Sequence, residues 1–230
     1  RHDNDEMNCE TVLAERYKET MEQLQDAKLV DAVLISDYDK GFLTDSFIRD
    51  IIRWCNERSV PVVADAKREP GVYNGAIVQC NMTYASKYGF APPEGNTGGF
   101  PRPFIITHGA FEPTIVSGER HSRLSNKPAV PCVSHVGAGA CFAAHLTLAL
   151  AHGLPLEDAA GVAHSAGRIY VQHPHNRPPW PHEVRRDCYL GSSEACEPCR
   201  GKVIQSEHLS DLHALRQSVA PGRLVFTNGV

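Results

Sequence analysis

Two observations predict an α/β fold with a largely parallel sheet. Short apolar runs alternate along the chain with segments of helical periodicity, and one strand–helix–strand unit is complete between residues 29 and 64. Parallel neighbours need crossover connections, and crossover helices cover the faces of the sheet. Residues Glu10 to Lys28 open the series: Leu13, Tyr17, Met21 and Leu24 recur at helical spacing and predict an amphipathic helix. Leu29 to Ser36 reads as a strand, Asp45 to Arg58 as a helix with Phe47, Ile48, Ile51, Ile52 and Cys55 on one face, and Val60 to Ala64 as the next strand. Further short strands are expected at Ala76–Cys80, Phe104–Thr107 and Thr114–Val116. Two helices follow, Ala138–His152 and Leu156–Val171, separated by Gly153-Leu154-Pro155. Ala91 to Pro103 and Gln172 to Gly201 are rich in turn-forming residues and read as loops, the second as a boundary. Beyond it come Gly201–Ile204, a helical Glu207–Val219 and a final strand-like run from Gly222.

With 230 residues, 42% hydrophobic, 22% charged and 7% aromatic, the chain suits one domain with an appendage rather than a fibrous or disordered protein. The net charge of −4 offers no basic surplus for nucleic acid or an anionic membrane. The longest apolar run, near Phe142 to Ala151, is too short to span a bilayer, and the first residues lack the pattern of a secretory leader. Cysteines standing singly in apolar segments (Cys55, Cys80, Cys132, Cys141) point to a reducing, cytoplasmic setting.

The strongest local signal is Val136-Gly137-Ala138-Gly139-Ala140 opening a helix. Small residues there let a ligand approach the free N–H groups and the positive end of the helix dipole, although they equally permit close packing. In order come Ser36-Asp37-Tyr38-Asp39-Lys40-Gly41 after a strand, Asp65-Ala66-Lys67, Gln79-Cys80-Asn81, Thr107-His108-Gly109 and then this turn. That succession resembles the ribokinase-like (PfkB) carbohydrate kinases and, more narrowly, the heptose 7-phosphate kinase half of a bifunctional heptose kinase and nucleotidyltransferase.

The resemblance implies a ribokinase-like, Rossmann-like layered sheet with helices on both faces and the N-terminal third missing. It divides the chain into 1–172, a partial kinase domain; 173–200, a Pro- and Cys-rich linker; and 201–230, a linker helix and the start of a nucleotidyltransferase-like domain. It implies that Gly137, Ala138 and Gly139 hold the transferring phosphoryl group, that Thr107, Gly109 and His164 line the nucleotide, and that Lys67, with Asp65, and Asn81 lie near its phosphates. ATP and Mg²⁺ are the implied cosubstrate and ion. A sugar phosphate is the implied acceptor, with Asp37 and Lys40 on its side of the cleft.

The departures bear on activity. Ala140 stands where the family's Gly-Ala-Gly-Asp places the base that takes the sugar proton, Tyr84 where a metal-linked Glu is expected, Cys80 where a Pro is expected and Ser134 where an Asp is usual. Losing general-base assistance costs about 10²- to 10⁴-fold. The nearest titratable residue to the turn is His135. Three readings follow: a weakened sugar kinase, a non-catalytic pseudokinase that binds nucleotide or serves as a scaffold, and the kinase remnant of a longer bifunctional protein. A shortened parallel sheet would also expose an edge for a protein partner to complete.

Cys188, Cys196 and Cys199 with His182 carry the donors for a tetrahedral zinc, and Cys196-Glu-Pro-Cys199 has a suitable gap; free thiols fit the same residues. His173 and His175 in the same segment lack carboxylate partners at metal-ligand spacing. Asp37 and Asp39 flank Tyr38 either as paired carboxylates of a substrate loop or as turn residues that accept backbone N–H bonds.

Overall fold

The computed structural model describes residues 15–24, 30–89, 103–118, 120–124, 127–174, 177–189 and 224–228. Helix α1 covers residues 15–24. Strand β1 (Ala32–Ser36) leads through α2 (Asp45–Glu57) to β2 (Val62–Asp65), and a short 3₁₀ turn at Pro70–Tyr73 precedes β3 (Ile77–Asn81) and α3 (Met82–Lys87). Then come β4 (Phe104–His108), β5 (Phe111–Ser117), β6 (Arg120–Arg123), α4 (Ala138–Ala151), α5 (Leu156–Tyr170), α6 (Pro181–Tyr189) and β7 (Leu224–Asn228). The sheet order is β6-β5-β4-β3-β2-β1-β7. Strands β7 and β1 to β4 run parallel, and β5 and β6 are antiparallel additions. The strand expected to open a further domain thus pairs here with β1, Ala32 opposite Leu224 through Ser36 opposite Asn228.

Local chemistry explains the elements. Thr44 caps α2 by accepting the Phe47 N–H at 3.2 Å, and Phe47, Ile48, Ile51, Ile52 and Cys55 bury the apolar stripe read from the sequence. Tyr17 of α1 stacks edge-to-face on Phe47 at 4.8 Å between ring centroids and donates to Asp50, which holds α1 on the outside of α2. The β-branched runs of β1 and β2 are buried on both faces, as a parallel sheet covered by helices requires.

Successive side chains of a strand point to opposite faces, and two cores result. Val33, Ile35, Val62, Ala64, Val78, Cys80, Phe104 and Ile106 pack towards α2, whereas Leu34, Val63, Ile77 and Ile105 pack towards α4 and α5. Ala159, Ala160 and Ala163 let α5 approach closely in that second core. Segment 172–201, read as a loop, contains α6: Val184 and Asp187 turn inward against α5, a tertiary gain that local Pro content does not reveal. The layered α/β architecture with a largely parallel sheet expected from the sequence is therefore the one observed. Among the described residues no helix is long and apolar enough to cross a membrane.

Candidate functional site

The start of α4 is where backbone and cavity meet. Gly137 precedes the helix at φ 85°, and no side chain caps the first turn, so the leading N–H groups lack an intrahelical acceptor. Gly137 is required twice over. Its φ lies in the left-handed region, and a Cβ there would run into Oη of Tyr170, which donates to the Val136 carbonyl at 3.0 Å. Gly139 leaves the first turn open above Gln79.

Beside this turn lies a cavity of about 210 Å³, whose wall includes Thr107, Gly109, Ala138, Gly139, His164 and Arg168. It gathers part of the expected nucleotide site, residues from the end of β4 with the first turn of α4, although they lie some thirty positions apart in sequence. Thr107 Oγ1 donates to the Cys80 carbonyl at 3.1 Å, which fixes the end of β4 to β3. Gly109, at φ 65°, makes the tight reversal into β5. His164 is buried, its Nε2 has no hydrogen-bond partner among the described residues, and burial reinforced by Arg168 and Lys127 lowers its pKa from 6.5 to about 4. A neutral imidazole therefore faces the cavity. His135, the titratable residue beside the turn, is exposed on the rim and caps nothing beyond its carbonyl bond to Ala138 N–H at 3.1 Å.

The outer wall, residues 127–137, is tied down along its length. Lys127 Nζ donates to Ser165 Oγ at 2.7 Å and to the Asp187 carboxylate at 3.0 Å, Arg168 donates from Nε to Asp187 at 3.2 Å and from Nη1 to the Pro128 carbonyl at 2.6 Å, and Val133 N–H donates to the Val171 carbonyl at 2.7 Å. Burial pushes the Asp187 carboxyl up, but the two cations together hold it below the usual carboxylate range. Lys127, Arg168 and Asp187 were not legible as a group, because their separations of 19 to 60 residues leave no local pattern.

The sugar-side candidates lie elsewhere on the sheet rim. Asp37 is buried with both oxygens engaged: Oδ1 accepts Asp39 N–H at 2.9 Å, and Oδ2 accepts Arg68 Nε at 2.8 Å and the Tyr73 hydroxyl at 2.5 Å. Arg68 further donates to Asp45 at 2.5 Å and to the Leu43 carbonyl at 2.7 Å, so the loop after β1 is locked to the loop after β2. This is the turn-forming option for Asp37 rather than an open carboxylate pair. Lys40 is exposed on that loop. Lys67 pairs with Asp65 Oδ1 at 2.9 Å, and neither Lys67 nor Asn81 is part of the cavity wall. Ala140 sits in the first turn of α4, half-buried, and likewise off that wall.

Two metal ions, zinc and Mg²⁺, are expected from the sequence. For zinc, Cys188 Sγ donates to Ser165 Oγ at 3.3 Å and His182 is exposed on α6, while Cys196 and Cys199, like His175, lie outside the described residues. Among the described residues no group of three or more His, Cys, Asp or Glu side chains converges on a metal position, so the structure lends the zinc reading no support. For Mg²⁺, Asn81 spends Oδ1 capping α3 on Tyr84 N–H at 2.9 Å, and Tyr84 itself is buried with its hydroxyl on the Arg68 carbonyl at 2.6 Å. The cavity wall holds no carboxylate, the ligand Mg²⁺ prefers. These residues do not form a Mg²⁺ site of their own.

Residues 94–183, which carry β4, β5, the outer wall, α4 and α5, match the pfkB family carbohydrate kinase description. This part of the chain is similar to the pfkB carbohydrate kinases. The chain is 27% identical over 216 residues to the bifunctional protein HldE of Methylobacillus flagellatus, covering 86% of this chain and 42% of that protein. It is 32% identical over 157 residues to HldE of a Caulobacter species, covering 62% and 32%. The chain therefore spans less than half the length of these curated relatives. In fold, it is similar to phosphofructokinase-2 of Escherichia coli in complex with potassium, with a TM-score of 0.64 at 18% identity over 76% of this chain and 62% of that one. An Arabidopsis thaliana ribokinase complexed with ribose and ATP gives 0.58 at 19% identity over 74% and 58%. Within the matched segment, the cavity at the start of α4 brings Thr107, Gly109 and His164 together with Ala138 and Gly139.

Proposed function

We propose that this chain is a pfkB-type sugar-phosphate kinase domain that holds ATP at the start of α4 and transfers its γ-phosphoryl group to a heptose 7-phosphate-like acceptor only weakly. The observation that carries the reading is the composition of the cavity wall. It pairs an uncapped, glycine-opened helix start with Thr107, Gly109 and His164, yet includes no Asp or Glu. The helix start supplies N–H donors and a partial positive charge for the phosphates, which stabilises both the bound nucleotide and the charge on a transferring phosphoryl group. His164 and Thr107 give the opposite wall polar atoms against the nucleoside. Nothing in that wall replaces the base that Ala140 lacks, so positioning is retained and proton transfer is impaired. The same observation favours, as a second reading, a pseudokinase in which binding alone is the function.

Calorimetric titration with Mg-ATP, followed by a turnover assay on Ala140→Asp, tests both. Micromolar binding is expected, with Ala140→Asp raising phosphoryl transfer to a heptose 7-phosphate by about 10²-fold or more, the scale of a general base. Absence of binding in a folded sample refutes the nucleotide reading. Binding with no turnover in either protein leaves the pseudokinase.

A further inference from the structure

The strand registers place a polar row beneath the first turn of α4. Ser36 of β1 is opposite Asp65 of β2, and Asp65 is opposite Gln79 of β3. Alternation puts all three on the α4-facing side: Val63 and Ile77 belong to the core under α4 and α5, and Asp65 and Gln79 lie two positions further along the same strands. Gln79 connects row and helix, because its Nε2 lies 4.0 Å from where a Cβ at Gly139 would stand. Its side chain is 2% exposed, and its Oε1 has no hydrogen-bond partner among the described residues. A buried amide left open beneath an open helix start is a second mark of a ligand position, since such oxygens are costly to leave unpaired.

Along the C-terminal ends of β1 to β4, the residues on this face are Ser36, Asp65, Gln79, Asn81 and Thr107, and Asp65 is the carboxylate among them. Lys67 occupies Asp65 Oδ1, while Oδ2 takes no hydrogen bond from the described residues. We infer that Asp65 accepts the acceptor-hydroxyl proton in the weak phosphoryl transfer that this domain performs in place of a carboxylate at position 140, with Gln79 positioning the transferring group above it. The inference rests on the kinase reading. In the step, the acceptor O–H bond breaks as its oxygen bonds to the γ-phosphorus, the proton passes to Asp65 Oδ2, and the bond from the γ-phosphorus to the bridging oxygen breaks to release ADP. Burial raises the Asp65 pKa, Lys67 opposes that rise and the Asp37 charge adds to it, so the carboxylate is more basic than an exposed one.

The test follows ADP release from Mg-ATP with a heptose 7-phosphate in the full chain, in Asp65→Asn, in Ala140→Asp and in the double variant, with calorimetric Mg-ATP binding beside each. Asp65→Asn is expected to lower turnover about 10²-fold or more while changing Mg-ATP affinity less than about threefold. In the Ala140→Asp background, where a second carboxylate is present, the same substitution is expected to cost less than about tenfold. Equal losses in both backgrounds would mark a structural role and overturn the assignment, as would unchanged turnover in Asp65→Asn. An unmodified chain that binds Mg-ATP yet releases no ADP above background overturns it too, while leaving the nucleotide reading intact. No binding at all overturns the nucleotide reading itself and the assignment with it. If Asp65→Asn does not fold, the pH profile of kcat/KM in Lys67→Met decides: removal of the cation must move the acid limb to higher pH, and an unmoved limb refutes the role of Asp65.

Discussion

Replacing His164 with Leu should flatten the dependence of stability on pH. In the folded chain the imidazole is 7% exposed, its Nε2 is unpartnered, and burial together with the Arg168 and Lys127 charges lowers its pKa from 6.5 to about 4. In the unfolded chain it titrates near 6.5. Between these values the unfolded state binds a proton that the folded state refuses, so stability is full above about pH 6.5 and drains away as the pH falls towards 4. A difference of about 2.5 pKa units at about 1.4 kcal/mol each gives a loss on the order of 3 kcal/mol over that window, a large share of a typical folding free energy. Urea unfolding at pH 7.5 and pH 4.5 measures it. The native chain is expected to lose about 2–3 kcal/mol more than His164→Leu between the two conditions. Identical losses in the two proteins, or a His164 titration in the folded chain centred near 6.5 by NMR, would refute the argument that this ring is buried neutral.

Two further outcomes follow from the same wall. Gly137→Ala forces a side chain into left-handed backbone and into Tyr170, and it should cost about 2 kcal/mol or more, a fall in Tm of about 4–8 °C, together with weaker Mg-ATP binding in calorimetry. Asp187→Asn leaves Lys127 Nζ and Arg168 Nε facing a neutral amide in a buried setting; chemical unfolding should show a loss of about 3 kcal/mol, and Mg-ATP affinity should fall because Pro128 and Arg168 belong to the tethered wall.

Much of the scaffold was legible because its signals are local. Thr44 followed by the Phe47, Ile48, Ile51, Ile52 stripe reads as a capped amphipathic helix and folds as one, and Val136 to Ala140 reads as an open helix start and is one. The alternation of strands and helices gave the layers, although the β5–β6 hairpin extended further than the run Thr114–Val116 suggested because Arg120–Arg123 is polar and lies at the sheet edge. What escaped was everything set by tertiary partners. Asp37 reads from sequence either as a substrate-loop carboxylate or as a turn residue, and the partners that hold it, Arg68 and Tyr73, lie 31 and 36 residues away. Likewise α6 lay in a stretch whose prolines argue for a loop, and it is held as a helix by Val184 and by the bonds of Asp187 to Lys127 and Arg168.

On the proposed kinase reading, the division of labour across the sheet lets binding and turnover separate. On the α2 side, Asp37, Arg68 and Tyr73 use their polar atoms on one another, so that face is committed to holding two loops together. On the α4 side, the polar atoms of His164 and Gln79 are left open around a helix start that carries no capping side chain. Binding a phosphate chain there needs only fixed donors and an electrostatic gradient, which backbone geometry at Gly137–Gly139 supplies whatever residue stands at 140. Accelerating transfer requires, in addition, an acceptor for a proton at the right moment, and an alanine methyl group at 140 forgoes about 3–5 kcal/mol of barrier lowering. Proton acceptance thus sets the rate while several distributed side chains set the affinity, and substitutions in the wall and at position 140 should move the two quantities independently.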